Sequence, residues 1–341
     1  MNKFFFFLFI AFFIGCKKEP NFVGNDLIDS EISFDTLLIS TIKKETFRER
    51  ISGTFDKLFI GKNVTYEAIS LIKFDIPNNI DSVLIDSLKL ILRINEFPFD
   101  TIVQFQPVSF YKLDSIDFLK YNWNDYSSTN FSEPISLLPN YVGDSLVFNV
   151  DTNFVKYKNG FLIKSNNNIF GVGSFGSSKK PSLVIYYKDS LNDTTHNKLT
   201  IQTGKNLFIA NCDSISDTSL IVQSGIADKV FLKFSFDSIP KFSFINSAKL
   251  ILRVDNFFHS DSSNPFGISF SKNDSSYSTF SQTIQSNQTA SSQFSFDIKE
   301  EMQRWINGEK YFGIIVKSQK ELNSLNRFLI SSPKIEVIYK K

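Results

Sequence analysis

Leu88-Lys89-Leu90-Ile91-Leu92-Arg93-Ile94 recurs as Ala248-Lys249-Leu250-Ile251-Leu252-Arg253-Val254, 160 positions further on. Ile72-Lys73-Phe74 recurs as Leu232-Lys233-Phe234 at the same offset, so no gap separates the two matches. Self-similarity at this spacing marks duplication of a module. Within each copy apolar residues alternate with Lys, Arg or a second apolar residue. Successive side chains on a strand point to opposite faces, so this spacing predicts a half-buried strand with Lys89, Arg93, Lys249 and Arg253 on a solvated face. Antiparallel sheets with one wet side carry this pattern.

Working outward, the end of each module repeats as well. Phe148-Asn149-Val150 matches Phe296-Asp297-Ile298, Tyr157 matches Trp305, and Asn159-Gly160 matches Asn307-Gly308, all 148 apart. Ile298, Met302 and Trp305 recur at helical spacing, and Asp297 with Glu300 suggests a capping box. Trp305 in this register reads as core. Each module then closes on a proline and an apolar strand, at 181–187 and 333–339. Leu58-Phe59-Ile60-Gly61 reads as the counterpart of Leu207-Phe208-Ile209-Ala210. Many short strands with turn residues between them predict an all-β fold: two tandem jelly-roll β-sandwich modules, each with one short helix. The expected boundaries are 34–188 for module 1, a polar linker at 189–197, and 198–341 for module 2.

The N-terminus reads as an address. Met1-Asn2-Lys3 precedes an apolar run over 4–14, too short for a bilayer span of about 20 residues and right for a signal-peptide core. It ends in Phe13-Ile14-Gly15-Cys16, which resembles the lipobox of bacterial lipoproteins, with Phe13 where leucine is usual. The resemblance implies cleavage after residue 15 and a diacylglyceryl group on Cys16. Lys17 follows the cysteine where an aspartate would signal inner-membrane retention, so an outer-membrane site is expected. Residues 16–33 read as a tether.

Composition excludes several classes. Net charge is +2 with no basic block, which argues against nucleic acid. The chain has two cysteines, Cys16 and Cys212, so acylation of the first leaves no intrachain disulfide and no cysteine zinc site. The histidines, His196 and His259, are a poor start for a metal or acid–base pair. No nucleophile elbow, phosphate loop or two-histidine zinc motif is present, so the reading is non-catalytic, without cofactor or metal. The 39 phenylalanines are a composition bias before they are a site.

The order of motifs resembles the DNRLRE domain, a jelly-roll sandwich related to carbohydrate-binding modules of microbial surface proteins. The matching elements are residues 71–76, 85–94 with 245–254, Trp123, 148–160 with 296–308, and the closing strands. The resemblance implies a surface-polymer binding module. Module 2 departs from it, having Tyr277 and Phe280 in a serine-rich stretch where module 1 has Trp123.

Flat aromatics flanked by polar groups suit sugar stacking. Tyr121, Trp123 and Tyr126, interleaved with Asn122, Asn124 and Asp125, form the candidate carbohydrate-binding cluster. The alternative is that Trp123 plugs the core and the tyrosines cap a strand end. The expected partners are a membrane through Cys16, then polysaccharide or, alternatively, other envelope proteins.

Overall fold

The computed structural model describes residues 33–48, 56–64, 66–97, 107–190, 194–212, 220–225, 228–258, 266–271, 284–285, 287–290, 292–319, 321 and 324–341. Cys16, the tether, His259, Tyr277 and Phe280 lie outside them. Among the described residues the chain is all β apart from short helical turns. Before residue 189 it forms β1 (Asp35–Arg48), β2 (Lys57–Lys62), β3 (Tyr66–Phe74), β4 (Leu84–Glu96), β5 (Val108–Lys112), β6 (Ile135–Leu137), β7 (Asn140–Val142), β8 (Ser145–Val150), β9 (Phe161–Lys164), β10 (Phe170–Gly173) and β11 (Ser182–Lys188). After it come β12 (Asn197–Cys212), β13 (Leu220–Gln223), β14 (Asp228–Phe234), β15 (Phe244–Phe258), β16 (Phe266–Phe270), β17 (Ile284–Gln285), β18 (Asn287–Ala290), β19 (Gln293–Asp297), β20 (Ile314–Ser318) and β21 (Arg327–Lys340). The α-helices among the described residues are α1 (Trp123–Ser128) and α2 (Lys299–Ile306).

The repeated stretch lies in β4 and β15, and its alternation is obeyed. Leu88, Leu90, Leu92 and Ile94 are 2, 0, 0 and 6% exposed, while Arg93 faces solvent. Burying each such side chain stabilises by about 1.5–3 kcal/mol. In the first unit one layer runs β3-β9-β5-β6 and the other β11-β4-β8-β7, with β2 and β10 linking β3 back to β4. Successive strands β3, β4 and β5 thus alternate between layers, as jelly-roll connections do. The second unit repeats this with β14-β20-β16-β17 and β21-β15-β19-β18, linked by β13.

The remaining margin of each sandwich is closed by a strand from an unexpected place. Residues 197–202 of β12 pair with β11, and residues 203–212 pair with β3. β12 therefore follows β11 as a hairpin and completes the first unit. In the second unit β1 takes the position: residues 35–40 pair with β21 and 41–48 with β14. Both closing strands shift register at matching points, between Thr203 and Lys205 and between Thr41 and Lys43, where each passes from one layer to the other. Thr203 Oγ1 donates to the carbonyls of Lys73 and Lys205 at 3.1 and 3.0 Å across this shift.

The boundaries at 188 and 198 are accordingly corrected. The packing units are 57–212 and 220–341 plus β1, and the connection from β11 to β12 joins two strands of the first unit. The repeat in sequence begins with the strand that closes the preceding unit, so sequence repeat and packing unit are out of phase by one strand. The counterpart of β2 is β13, which makes the equivalent pairings, and residues 207–210 belong instead to the closing strand β12. The cores follow the corrected division. The first contains Ile201, Leu207, Phe208, Ile209 and Ala210 of β12, and the second contains Ile39 of β1. Phe110 anchors the first core, edge-on to Phe148, Phe154 and Phe161 at 5.1, 6.0 and 5.9 Å.

The units meet where β12 ends. Cys212 Sγ donates to Gln223 Oε1 at 3.3 Å, and Leu325 of the second unit packs into the first core. Burial pushes the Cys212 thiol up, with the Arg327 guanidinium opposing. Arg48 Nε donates to the carboxylate of Asp228 at 2.8 Å beside this seam.

The helices differ from expectation. α2 forms with Met302 inward, but its capping box does not: the cap position is Ile298, and Asp297 Oδ1 accepts from Lys299 N at 3.0 Å without a reciprocal bond from Glu300. The equivalent stretch in the first unit is only a 3-10 turn, Thr152–Lys156, capped by Asp151. Gly160 and Gly308 end the two elements with φ +96 and +103, and a Cβ on Gly160 would sit 2.3 Å from the Ile72 carbonyl oxygen.

Fragments cut at the two kinds of boundary will behave differently. Residues 57–212 will show dispersed amide resonances and a cooperative melt. Residues 34–188, which lack β12, will show neither; equal folding of the two fragments would contradict the one-strand offset.

Candidate functional site

The aromatic cluster is built around α1, a helix that the sequence reading did not foresee. Asn122 is its cap, with Oδ1 accepting from Asn124 N at 2.9 Å. Asp125 Oδ2 accepts from Asn122 N at 2.9 Å, which completes a capping box. The Asn122-to-Asp125 spacing was the legible signal for it. The far end stops because hydroxyls compete for its carbonyls: Ser128 and Thr129 both donate to Asp125 O, at 3.0 and 2.6 Å.

This frame sets Trp123 and Tyr126 side by side, rings 5.1 Å apart and tilted by 56°. Tyr126 continues to Phe131 at 5.6 Å, and Phe131 to Tyr111 of β5 at 5.5 Å. All four rings are half-buried, resting on the first core with one side toward solvent. Tyr121 is half-buried as well but stands outside the stack. Burial pushes its hydroxyl up, with Thr129 opposing. Neither sequence alternative is met in full: Trp123 is not a core plug, and the stack shares its two members with Phe131 and Tyr111 rather than with Tyr121.

A charged group lies against the stack. Lys164 Nζ donates to Tyr126 Oη at 3.1 Å and bridges Glu67 at 2.8 Å, while Lys62 reaches Glu67 at 3.1 Å. Burial disfavours the Glu67 charge, yet the two ammonium groups outweigh it and hold the carboxyl below the usual range. Lys164 is likewise held above its usual range by Glu67 and Tyr126 against burial. Lys164 ends β9 and Glu67 is the second residue of β3, so pairing between distant strands brings them together, which no local motif announces.

The second unit carries a different aromatic group. Trp305 stacks on Phe236 at 5.6 Å and 7°, with Tyr311 4.6 Å away. Tyr311 Oη accepts from Phe234 N at 3.3 Å, and burial pushes its hydroxyl far up. Trp305 is packed against the core yet half-buried, not enclosed as its helical register suggested.

A shallow cleft of about 500 Å³ opens in the first unit between Val83, Ile85, Val155 and Lys156. The corresponding place in the second unit is bridged by Gln303, which accepts from Ile245 N at 2.8 Å and donates to Ser243 O at 2.9 Å. Val155 occupies the Gln303 position and has no polar group to offer.

His196 Nδ1 lies 2.6 Å from Asp86 Oδ2 on the exposed loop between β11 and β12. Among the described residues, no group of three or more His, Cys, Asp or Glu is placed to hold a metal ion. No described helix is long and apolar enough to cross a membrane. Compared with protein-family models, curated proteins and solved structures, the chain matches none.

The Glu67 charge should matter to stability only above acid pH. A carboxyl held below its unfolded value of about 4.3 contributes fully above that value and loses the contribution as pH falls through the folded one. Glu67→Gln will lower the urea midpoint at pH 7, and the gap from the parent will close below about pH 4. A gap unchanged down to pH 2.5 would show that Glu67 stabilises by packing alone.

Proposed function

We propose that this protein is a non-catalytic, lipid-anchored lipoprotein of the bacterial outer membrane that binds polysaccharide or another surface polymer. The observation carrying the binding reading is the Trp123–Tyr126 ring pair, held half-exposed by a capped helix with the Lys164–Glu67 pair beside it. Partly open ring faces next to fixed hydrogen-bonding groups suit the alternating apolar and hydroxylated surfaces of a sugar. The order of motifs resembling the DNRLRE domain supports the same reading, as does the all-β sandwich. The lipobox-like Phe13-Ile14-Gly15-Cys16 supports the anchor.

A second reading, a structural or assembly lipoprotein, draws on β7. This short margin strand is exposed along its length, with Tyr141 and Val142 toward solvent. An open strand edge is a place where another protein's strand adds.

Affinity electrophoresis of residues 34–341 on a panel of polysaccharides tests the first reading. Trp123→Ala and Tyr126→Ala will each weaken retardation by about tenfold, the loss of one stacked ring, and Tyr121→Phe will leave it unchanged. No retardation on any polysaccharide, with specific capture of one envelope complex, would favour the second reading. Palmitate labelling will be lost in Cys16→Ser, and label that persists would remove the anchor.

A further inference from the structure

We propose that one end of the second unit is a docking face for a phospholipid surface, formed by Phe34, Phe242 and Phe244. The proposal rests on the lipid-anchor reading above. Strand register brings these rings to one place. Phe244 pairs with Lys340 on one side of β21, and Asp35, next to Phe34, pairs with Tyr339 on the other. Phe242 lies two residues before Phe244, and its N–H bonds the Ile306 carbonyl at 3.3 Å. The three side chains are 46, 76 and 58% exposed, whereas their neighbours Ile245 and Tyr339 are core.

Phe242 also has φ +64, a backbone conformation that bulky residues rarely adopt. The turn therefore holds a large apolar ring out in water although a smaller residue would fit the backbone better. Lysines frame the rings. Lys299 Nζ stands 5.8 Å over the Phe244 ring, Lys341 bridges Asp35 at 3.1 Å, and Lys241 and Lys340 flank the same end. Of the acids here, Asp35 is taken up by Lys341 and Asp297 caps Lys299 N, which leaves Glu300 exposed. Aromatic rings with lysines beside them are the composition of protein surfaces at the headgroup level, the rings entering the acyl boundary and the ammonium groups meeting phosphate.

The position of the tether selects the membrane as occupant. The chain from Cys16 joins the described fold at Ser33, on this face, and its length to there spans at most about 60 Å when extended. Leu38 and Ile42, further along β1, are also exposed on the second unit, whereas Leu119, Leu138 and Tyr141 lie in the first unit.

The test uses the acylated protein in phosphatidylethanolamine–phosphatidylglycerol vesicles. Phe242→Trp and Phe244→Trp place reporters in the face, and Leu138→Trp is the control on the first unit. Fluorescence is read as the difference from the parent, with and without lipids brominated on the acyl chains. The two face reporters will shift to the blue and lose about half or more of their emission to the brominated lipid, and the control will not change. Face reporters unquenched in protein that sediments with the vesicles would overturn the proposal, as would a dimer in solution that Phe242→Ser/Phe244→Ser dissociates. Palmitate labelling of Cys16 is read on the same samples. Protein without label whose face reporters are still quenched would remove the anchor and leave the face standing.

Discussion

A sandwich of antiparallel strands has to do something with its margins. Backbone N–H and C=O groups along an open edge are strong and need partners. Here each unit meets that need with a single long strand that pairs with one layer, shifts register once, and pairs with the other. For the first unit it is β12, supplied by the next sequence repeat. For the second unit it is β1, the earliest of the described strands. Asp35 and Lys341 meet as a consequence, and β1 belongs to the second unit's sheet although the next strand, β2, belongs to the first.

The same constraint explains the seam. β12 closes the first unit and β13 belongs to the second, and the last residues of these two strands come together. Cys212 and Gln223 meet there, with Tyr66, Arg327 and Asp228 close enough to act on one another's charge. Polar groups in such a place are held by their neighbours and cost stability if left alone. Their role is read most simply as fixing how the units join.

The aromatic stack grows on a segment that does not repeat. The strands of the two units must match because each must fit the same set of partners. The stretch from β5 to β6 answers to no such rule and differs between the units, which lets the first carry Trp123 and Tyr126 on α1. Divergence of this kind is where binding residues arise on a conserved scaffold. Gln303, bonded to Ile245 N and Ser243 O, and Val155 at the same place in the repeat show the same freedom on a smaller scale.

Alternation in residues 88–94 and 248–254 was enough to determine strands, their buried faces and the duplication, because pleating and burial act locally along a strand. The aromatic residues near 123 were legible for the same local reason, whereas the Asn122–Asp125 cap of α1 was a local signal that went unread. What the tertiary structure decided was partnership. Which unit owns β1 and β12, that Lys164 and Glu67 flank Tyr126, and that Phe131 and Tyr111 rather than Tyr121 extend the stack all depend on contacts between residues far apart in the chain. Such contacts leave no periodic trace, since many pairings satisfy the same alternation and only the whole set of partners selects among them.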